Sequence, residues 1–229
     1  MIGLLGGMSW VSTAHYYQLI NAEVAERVGG DHCARLMLWQ DDFARLTELQ
    51  RAGRWNEAGA VLATGARALR DGGVDVIGIG ANTMHLVADQ VAQAAKPARL
   101  VHIVEVVRDV CVQRSITRLG LIGTAYTMSS PHLYPPTMTA AGIEILVPGD
   151  EDQAVIQAHT FDELIRDVVT ERCRANFSGI CQGLIDRGAD AIVLACTEHG
   201  LVLRDGDLSV PLLDSTVLHA HALVDAALA

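Results

Sequence analysis

The chain has 229 residues, half of them hydrophobic, which is enough to bury a sizeable core in one large or two small domains. Its formal net charge of −10, with acidic and basic residues interspersed, offers no basic surface to nucleic acid or an anionic membrane. No apolar stretch approaches the roughly 20 residues that cross a bilayer. We therefore expect a soluble protein with a small-molecule ligand.

The cysteines and the N-terminus indicate the compartment. Five cysteines without any C-x-x-C pair suit a reducing cytoplasm better than a disulfide framework. The first residues lack the charged and long apolar regions of a signal peptide and are interpreted as a first strand and turn. The sequence therefore predicts a cytoplasmic protein.

Short runs rich in Ile, Val and Leu alternate with longer Ala-rich segments, a pattern typical of βαβ units. The first half shows strands at residues 2–5, 35–39, 74–79 and 100–103, and helices at 13–28, 55–71 and 86–95. The second shows strands at 119–122, 143–147 and 191–195, helices at 132–141 and 154–187, and a closing strand at 210–213 with a helix from 216. The pattern predicts two parallel-sheet α/β halves, one of residues 1–100 plus 211–229 and one of residues 101–210.

The two halves also repeat one another in sequence. Two pairs of segments match, residues 2–7 with 119–124 and residues 73–83 with 188–197. The second match puts Ala81 and Cys196 at equivalent positions, directly after a strand. Because ligands in open α/β sheets bind beyond the carboxyl ends of the strands, we expect these two residues to face each other across one cleft between the halves.

Cys196 is the strongest candidate for chemistry. It follows an apolar strand and precedes Thr197, Glu198 and His199, so backbone N–H groups at the strand end would favour its thiolate, and His199 is a candidate for assisting them. A buried structural cysteine is the alternative. The remaining cysteines are predicted to be inert: Cys33, Cys111, Cys173 and Cys181.

The matching loop of the first half carries Asn82, Thr83 and His85. The first two can hold a carboxylate or an amino group, although a capped turn would look the same. His85 and His199 are nearly equivalent in the repeat, and we interpret both as structural histidines, although either could orient a neighbour or titrate near neutrality.

No metal or cofactor is expected. Cys196 and His199 have a spacing that a metal can use but lack a second ligand cluster, and His219 and His221 point apart on a helix. The only lysine, Lys96, lies in a Lys-Pro step, which argues against pyridoxal phosphate. No dinucleotide fingerprint, P-loop or G-x-S-x-G elbow is present.

Three loops together resemble the aspartate/glutamate racemase family: G-G-M-S-W at residues 6–10, N-T-M-H at 82–85 and A-C-T-E at 195–198. The resemblance covers nearly the whole chain. It implies a homodimer of chains with two pseudo-symmetric α/β domains, in which one cysteine from each half flanks Cα of a free amino acid without any cofactor. We expect the cleft to be lined by Met8, Gln50, Asn82, Thr83, Thr124, Thr127 and Thr197.

Two positions depart from the family pattern. Cys196 matches the second catalytic cysteine, whereas Ala81 stands at the first, and a methyl group neither donates nor accepts a proton. Val155 stands where the family commonly has a basic residue for the distal carboxylate of the substrate. Loss of a positioned acid/base group typically lowers a rate by about 10² to 10⁴.

Three functions remain open at this point. The first is an amino-acid racemase or epimerase whose missing base is replaced by Thr83, a water or a histidine, or was removed by an engineered substitution. The second is a decarboxylase similar to the arylmalonate decarboxylases, which use a single cysteine, or a cis/trans isomerase of a dicarboxylate. The third is a catalytically inactive homologue that binds a ligand.

Overall fold

The structure is a computed structural model, and it describes all 229 residues. The chain divides into two compact units, Met1–Ile103 with His219–Ala229, and Val104–Leu218. Residues 211–218, assigned to the first half from the sequence, belong to the second unit, because the strand they contain pairs with the second sheet. No helix of the chain combines the length and the apolar composition that a membrane crossing requires.

The first unit is built on a four-stranded parallel sheet. Its elements are β1 (Ile2–Gly6), α1 (Trp10–Val28), β2 (Leu36–Gln40), α2 (Phe43–Arg51), α3 (Trp55–Asp71), β3 (Val76–Ile79), a 3₁₀ helix (Thr83–Val87), α4 (Ala88–Ala95) and β4 (Arg99–Val101), and α5 (Ile103–Gln113) begins at its end. The strand order is β2-β1-β3-β4. The predicted alternation of strands and helices is confirmed here, with α2 as an additional helix.

Both faces of this sheet are covered, which explains the nearly continuous apolar strands. Alternate residues of a strand point to opposite faces. Leu5 accordingly packs in a cluster with Leu62 and other apolar residues of α3, whereas Leu4 packs in a second cluster with Tyr16 of α1 and Leu223. Helices therefore cover the first sheet on both faces.

The second unit repeats this arrangement. Its elements are β5 (Arg118–Gly123), α6 (Ala125–Ser129), α7 (Tyr134–Ala140), β6 (Glu144–Leu146), α8 (Asp150–Asp162), a 3₁₀ turn (Leu164–Arg166), α9 (Glu171–Asp186), β7 (Ala191–Ala195), a 3₁₀ turn (His199–Leu201) and β8 (Leu212–Asp214). The last helix, α10 (Ser215–Leu228), begins in this unit and continues into the first from His219. All pairings are parallel, and the strand order β6-β5-β7-β8 matches that of the first sheet. The internal repeat of the sequence is thus a repeat of topology.

The long helix predicted over residues 154–187 is two helices, α8 and α9. After α8, Asp167 adopts a left-handed conformation with φ of 59°, which a continuous helix does not allow. Thr170 then caps α9, because its Oγ1 accepts a hydrogen bond from the N–H of Cys173 at 3.1 Å. No proline interrupts residues 154–187, so the prediction joined the two helices.

Candidate active site

Ala81 and Cys196 lie at equivalent strand ends. In the first sheet Leu5 pairs with Ile79, and the N–H of the following Gly80 donates to the carbonyl of Leu5 at 2.8 Å. In the second sheet Gly123 pairs with Ala195, the residue before Cys196. The predicted equivalence of the two positions is therefore confirmed within each unit.

The turn after β1 needs glycine at position 7. Gly7 has φ of +83°, and a Cβ there would lie 2.8 Å from Cβ of Gln40 and 3.1 Å from the carbonyl oxygen of Asp41. Its N–H donates to Oγ1 of Thr13 at 2.7 Å, which ties the turn to α1. Met8 follows and is buried in the same hydrophobic cluster as Ala81.

His85 holds the backbone at Ala81. Its Nε2 accepts the N–H of Ile103 at 3.2 Å, so its Nδ1 carries the proton and donates to the carbonyl oxygen of Ala81 at 2.9 Å. Burial lowers the pKa of this histidine well below its usual value, and the neighbouring His102 and His219 lower it further. His85 is thus a neutral structural histidine, as the sequence analysis interpreted it, and both ring nitrogens are occupied.

The polar residues predicted for the first loop are buried beside this turn. Asn82 and Thr83 are 2% and 8% exposed, and Thr83 begins the 3₁₀ helix that follows Ala81. Gln50 is also buried, and its Nε2 donates to the sulfur of Met84 at 3.0 Å. The first unit therefore assembles its share of the predicted residues near one strand end.

In the second unit, the thiol of Cys196 has a carboxylate as its partner. Its Sγ donates to Oε2 of Glu198 at 3.2 Å, and Oγ1 of Thr197 donates to the same oxygen at 2.8 Å. All three residues are buried. The sequence analysis noted Glu198 only as a neighbour and looked to His199 for assistance, whereas the structure makes Glu198 the partner.

Cys196 is a thiol at neutral pH in this arrangement. Burial raises its pKa well above the usual value, and the negative charge of Glu198 raises it further. The backbone N–H groups of Glu198 and Thr197 lower the pKa, as predicted, but they are outweighed. The thiolate therefore has to be generated by transfer of the thiol proton.

His199 makes its contacts elsewhere. Thr160 donates its hydroxyl proton to the carbonyl of Ile156, so its Oγ1 accepts from Nε2 of His199 at 3.0 Å. The imidazole also packs edge-on against Phe177, with ring centroids 4.8 Å apart. Burial lowers the pKa of His199 to about 3. It is a neutral structural histidine, as the sequence analysis interpreted it, and its Nε2 is bound to Thr160 and not to the thiol of Cys196.

The turn after β5 carries two further predicted residues, Thr124 and Thr127. Thr124 caps α6, with its Oγ1 accepting from the N–H of Thr127 at 3.3 Å, and the two hydroxyl oxygens also lie 3.3 Å apart. The N–H of Ala125 donates to Oε1 of Gln157 at 2.9 Å, a contact that no sequence pattern indicated. Val155, on the same helix as Gln157, packs against the core of the second unit.

One group of potential metal ligands is present in the second unit, and the sequence analysis did not single it out. It consists of His159, Glu163 and Cys173. The five cysteines are all unpaired thiols, and the pKa values of Cys111, Cys173 and Cys181 are raised to between about 11 and about 12 by burial. These three cysteines are therefore thiols at neutral pH.

The comparison with known proteins identifies the family. A sequence profile described as "Asp/Glu/Hydantoin racemase" matches residues 5–223, nearly the whole chain. The chain belongs to this racemase family. The resemblance inferred from the three loops is thus confirmed, and the α/β architecture of the two units is the one expected of an Asp/Glu racemase.

Similar proteins of this racemase family cover the full chain. A Yersinia pestis protein assigned to the Asp/Glu racemases is 36% identical, with a TM-score of 0.91 over 100% of this chain and 99% of its own. An aspartate racemase homologue from Pyrococcus horikoshii OT3 is 28% identical, with a TM-score of 0.85 and the same coverage. The broad specificity amino-acid racemase RacX of Bacillus subtilis (strain 168) is 24% identical over 100% of this chain and 99% of its own.

Proposed function

We propose that the protein is an amino-acid racemase or epimerase that works without a cofactor and uses Cys196 as its acid/base. The observation that carries the proposal is the hydrogen bond from the buried thiol to the Glu198 carboxylate, at the strand end equivalent to Ala81. Membership of the racemase family and the likeness to a broad specificity amino-acid racemase support it.

In the proposed reaction the proton of Cys196 passes from Sγ to Oε2 of Glu198. The thiolate then removes the proton from Cα of the amino acid and becomes a thiol again, and Glu198 returns its proton to solvent at the end of the cycle. The electron pair of the broken C–H bond moves into the substrate carboxylate, giving an enediolate. Thr197 holds Glu198 in place through its hydroxyl, and the two backbone N–H groups that favour the thiolate lower the barrier to the first transfer.

The opposite face of the enediolate requires another proton donor. Ala81 has none, and His85 is not available because both of its ring nitrogens are occupied by backbone groups. Of the replacements considered for the missing base, Thr83 and a water remain. Because a hydroxyl group is a poor acid/base at neutral pH, we expect exchange of the Cα proton on the Cys196 face to be faster than inversion.

The proposed substrate is a small amino acid or another small carboxylate, bound by Met8, Gln50, Asn82, Thr83, Thr124, Thr127 and Thr197. Val155 supplies no charge for a distal carboxylate, so we propose that dicarboxylates are not preferred. A homodimer in the cytoplasm remains part of the proposal, supported by the resemblance to the family and by the free cysteines.

A second candidate function is decarboxylation of a malonate-type acid. One observation favours it, namely that Ala81 belongs to a hydrophobic cluster with Met8 and Met84. An apolar surface destabilises a carboxylate and so favours its loss as carbon dioxide. Cys196 alone would then protonate the enediolate from one side.

Proton exchange in deuterium oxide tests the proposal. The full chain is incubated with the L and the D enantiomer of each chiral proteinogenic amino acid, and loss of the Cα proton is followed by NMR and inversion by chiral chromatography. We expect exchange with a subset of them, and Cys196→Ala to lower its rate by at least about 10². Cys181→Ala is the matched control, because Cys181 is also fully buried in the second unit, and it should retain the rate.

The other outcomes are equally decisive. Release of carbon dioxide from a phenylmalonate substrate, without amino-acid exchange, would assign the decarboxylase. Binding of an amino acid with neither exchange nor carbon dioxide release would identify an inactive homologue. Equal loss of exchange in Cys196→Ala and Cys181→Ala would remove Cys196 from the reaction.

A further inference from the structure

A second cluster of reactive side chains lies in the second unit, at the break between α8 and α9. His159 is in the last turn of α8, Glu163 directly follows that helix, and Cys173 is in the first turn of α9. One ligand atom from each residue lies within 4.8 Å of the other two. His159 and Cys173 are buried, whereas the Glu163 side chain is 25% exposed, so the cluster is open on one side.

We propose that His159, Glu163 and Cys173 bind a divalent cation of the zinc class. Imidazole nitrogen, thiolate sulfur and carboxylate oxygen together are the donor set that zinc prefers. Tetrahedral bonds of about 2.0 to 2.3 Å put neighbouring ligand atoms roughly 3.4 Å apart, so the widest separation, within 4.8 Å, has to shorten by up to about 1.4 Å, while the 2.9 Å pair of His159 and Glu163 opens slightly. The exposed side leaves the fourth position to water.

Thr170 contacts both Glu163 and the backbone of Cys173 and so positions these two ligands. Thr170 donates to Oε2 of Glu163 at 2.8 Å, which leaves Oε1 directed at Nδ1 of His159, 2.9 Å away. The same hydroxyl accepts the N–H of Cys173 at 3.1 Å. One residue therefore positions both the carboxylate and the start of the helix that carries the thiol.

Asn176 sets the tautomer of the histidine. Its Nδ2 donates to Nε2 of His159 at 2.9 Å, so the proton of the imidazole lies on Nδ1 and points to Glu163. When a cation takes the place of that proton, the imidazole becomes protonated on Nε2. A half-turn of the Asn176 amide then brings its Oδ1 to accept from Nε2, as outer-sphere partners of metal-bound histidines do.

Binding displaces protons and no other group. The thiol of Cys173 has to lose its proton to bind as a thiolate, which the positive charge of the bound cation stabilises. Because Nε2 of the imidazole carries no proton before binding, the Nδ1 proton moves to Nε2, and the thiol proton is the one released to solvent.

The bound cation would connect the two helices that the sequence predicts as one. The imidazole of His159 also packs against Phe177, with ring centroids 6.3 Å apart, and Phe177 packs against His199 in the turn after Cys196. The expected effect is a more stable second unit, because a ligand that binds only the folded state stabilises it in proportion to its occupancy.

The test uses the full chain, treated with a chelator and then titrated with Zn²⁺ by calorimetry and with Co²⁺ by absorption. We expect one Zn²⁺ per chain, a higher Tm, and a sulfur-to-cobalt charge-transfer band. Cys173→Ala should remove the band, and Cys181→Ala, a fully buried cysteine of the same helix, should keep it. Glu163→Gln, at a partly exposed position, and Asn176→Leu should each weaken Zn²⁺ binding about 10- to 100-fold.

Two further variants separate this site from the other thiols. Cys196→Ala and the exposed Cys33→Ser should both bind Zn²⁺ as the unmodified chain does. A charge-transfer band that persists in Cys173→Ala, or that disappears only in Cys196→Ala, would overturn the proposal. So would the absence of any Zn²⁺ binding above the level of the Cys173→Ala variant.

Discussion

The loops after β3 and β7 occupy equivalent places in the two sheets but carry different functional groups. Both follow the third strand of a sheet with the same order, and both are buried. In the first loop a histidine holds the carbonyl of Ala81, whereas in the second a carboxylate accepts a proton from the side chain of Cys196. The repeat therefore preserves the backbone at the two strand ends, while only the second copy carries a thiol there.

The two histidines of the loops make the same point. His85 and His199 nearly coincide in the sequence repeat, yet His85 bonds to two backbone groups and His199 to the side chain of Thr160. Neither is charged, since burial lowers the pKa of each. Equivalent positions in a repeat therefore predict a shared location better than a shared role.

The largest expected effect comes from restoring the missing group. Ala81→Cys should raise the rate of amino-acid inversion by about 10² to 10⁴, because the added thiol stands at the strand end equivalent to Cys196. Chiral chromatography measures the gain, and Ala81→Ser controls for the change in volume. For a decarboxylase the same variant would instead lower the enantiomeric purity of the product. A folded variant that binds amino acids without inverting any of them would end the racemase proposal.

Removing the carboxylate of Glu198 should leave the loop after β7, like the loop after β3, without a carboxylate that accepts a proton. Glu198→Gln leaves Cys196 without a proton acceptor, so the rate of Cα proton exchange should fall by about 10². The negative charge that raises the pKa of the thiol is lost as well, so the pH midpoint of Cys196 alkylation by iodoacetamide should move down. An unchanged midpoint would show that the carboxylate does not act on the thiol.

The smallest expected effect is on the pH dependence of the free energy of unfolding, to which three buried histidines contribute. The pKa of His199 in the fold is about 3 and that of His219 about 4, and that of His85 is also well below the unfolded value of about 6.5. Below about pH 6.5 the unfolded chain binds more protons than the folded chain does. The free energy of unfolding therefore has its full value above that pH and decreases below it. It should fall by about 1 kcal/mol per pH unit for each histidine as the pH decreases.

Urea unfolding at pH 7.0 and pH 5.5 measures this loss. His199→Gln should reduce the pH dependence by about a third, the share expected of one histidine in three. His132→Gln is the control, because His132 is exposed. An equal pH dependence in the two variants would contradict the role of the buried imidazoles.

The sequence predicted the strands, the helices and their order well, and the side-chain hydrogen bonds poorly. Helix α3 was predicted with its observed ends, and the repeat located Ala81 and Cys196 at strand ends, because burial on both faces of a parallel sheet leaves a strong apolar pattern. The break at Asp167 was missed, since one left-handed residue leaves no mark on that pattern. A threonine at a helix start, as at Thr170, was the available signal.

The role of Glu198 was missed for a different reason. A carboxylate two residues after a strand has several accessible directions, and only the fold shows that it turns back to the thiol of Cys196. The spacing of His85, four residues after Ala81, could have indicated its bond to that carbonyl, because such residues lie on one face of a helical turn.

The bond from His85 to the carbonyl of Ala81 has a consequence for how such a protein can change over generations. The loop is shaped by an imidazole and by the N–H of Ile103, and not by the side chain at position 81. The backbone conformation of the loop should therefore be the same with alanine, serine, threonine or cysteine at position 81. Single substitutions at position 81 can therefore change the reaction without lowering the stability of the fold. Selection for stability should tolerate such changes at this position.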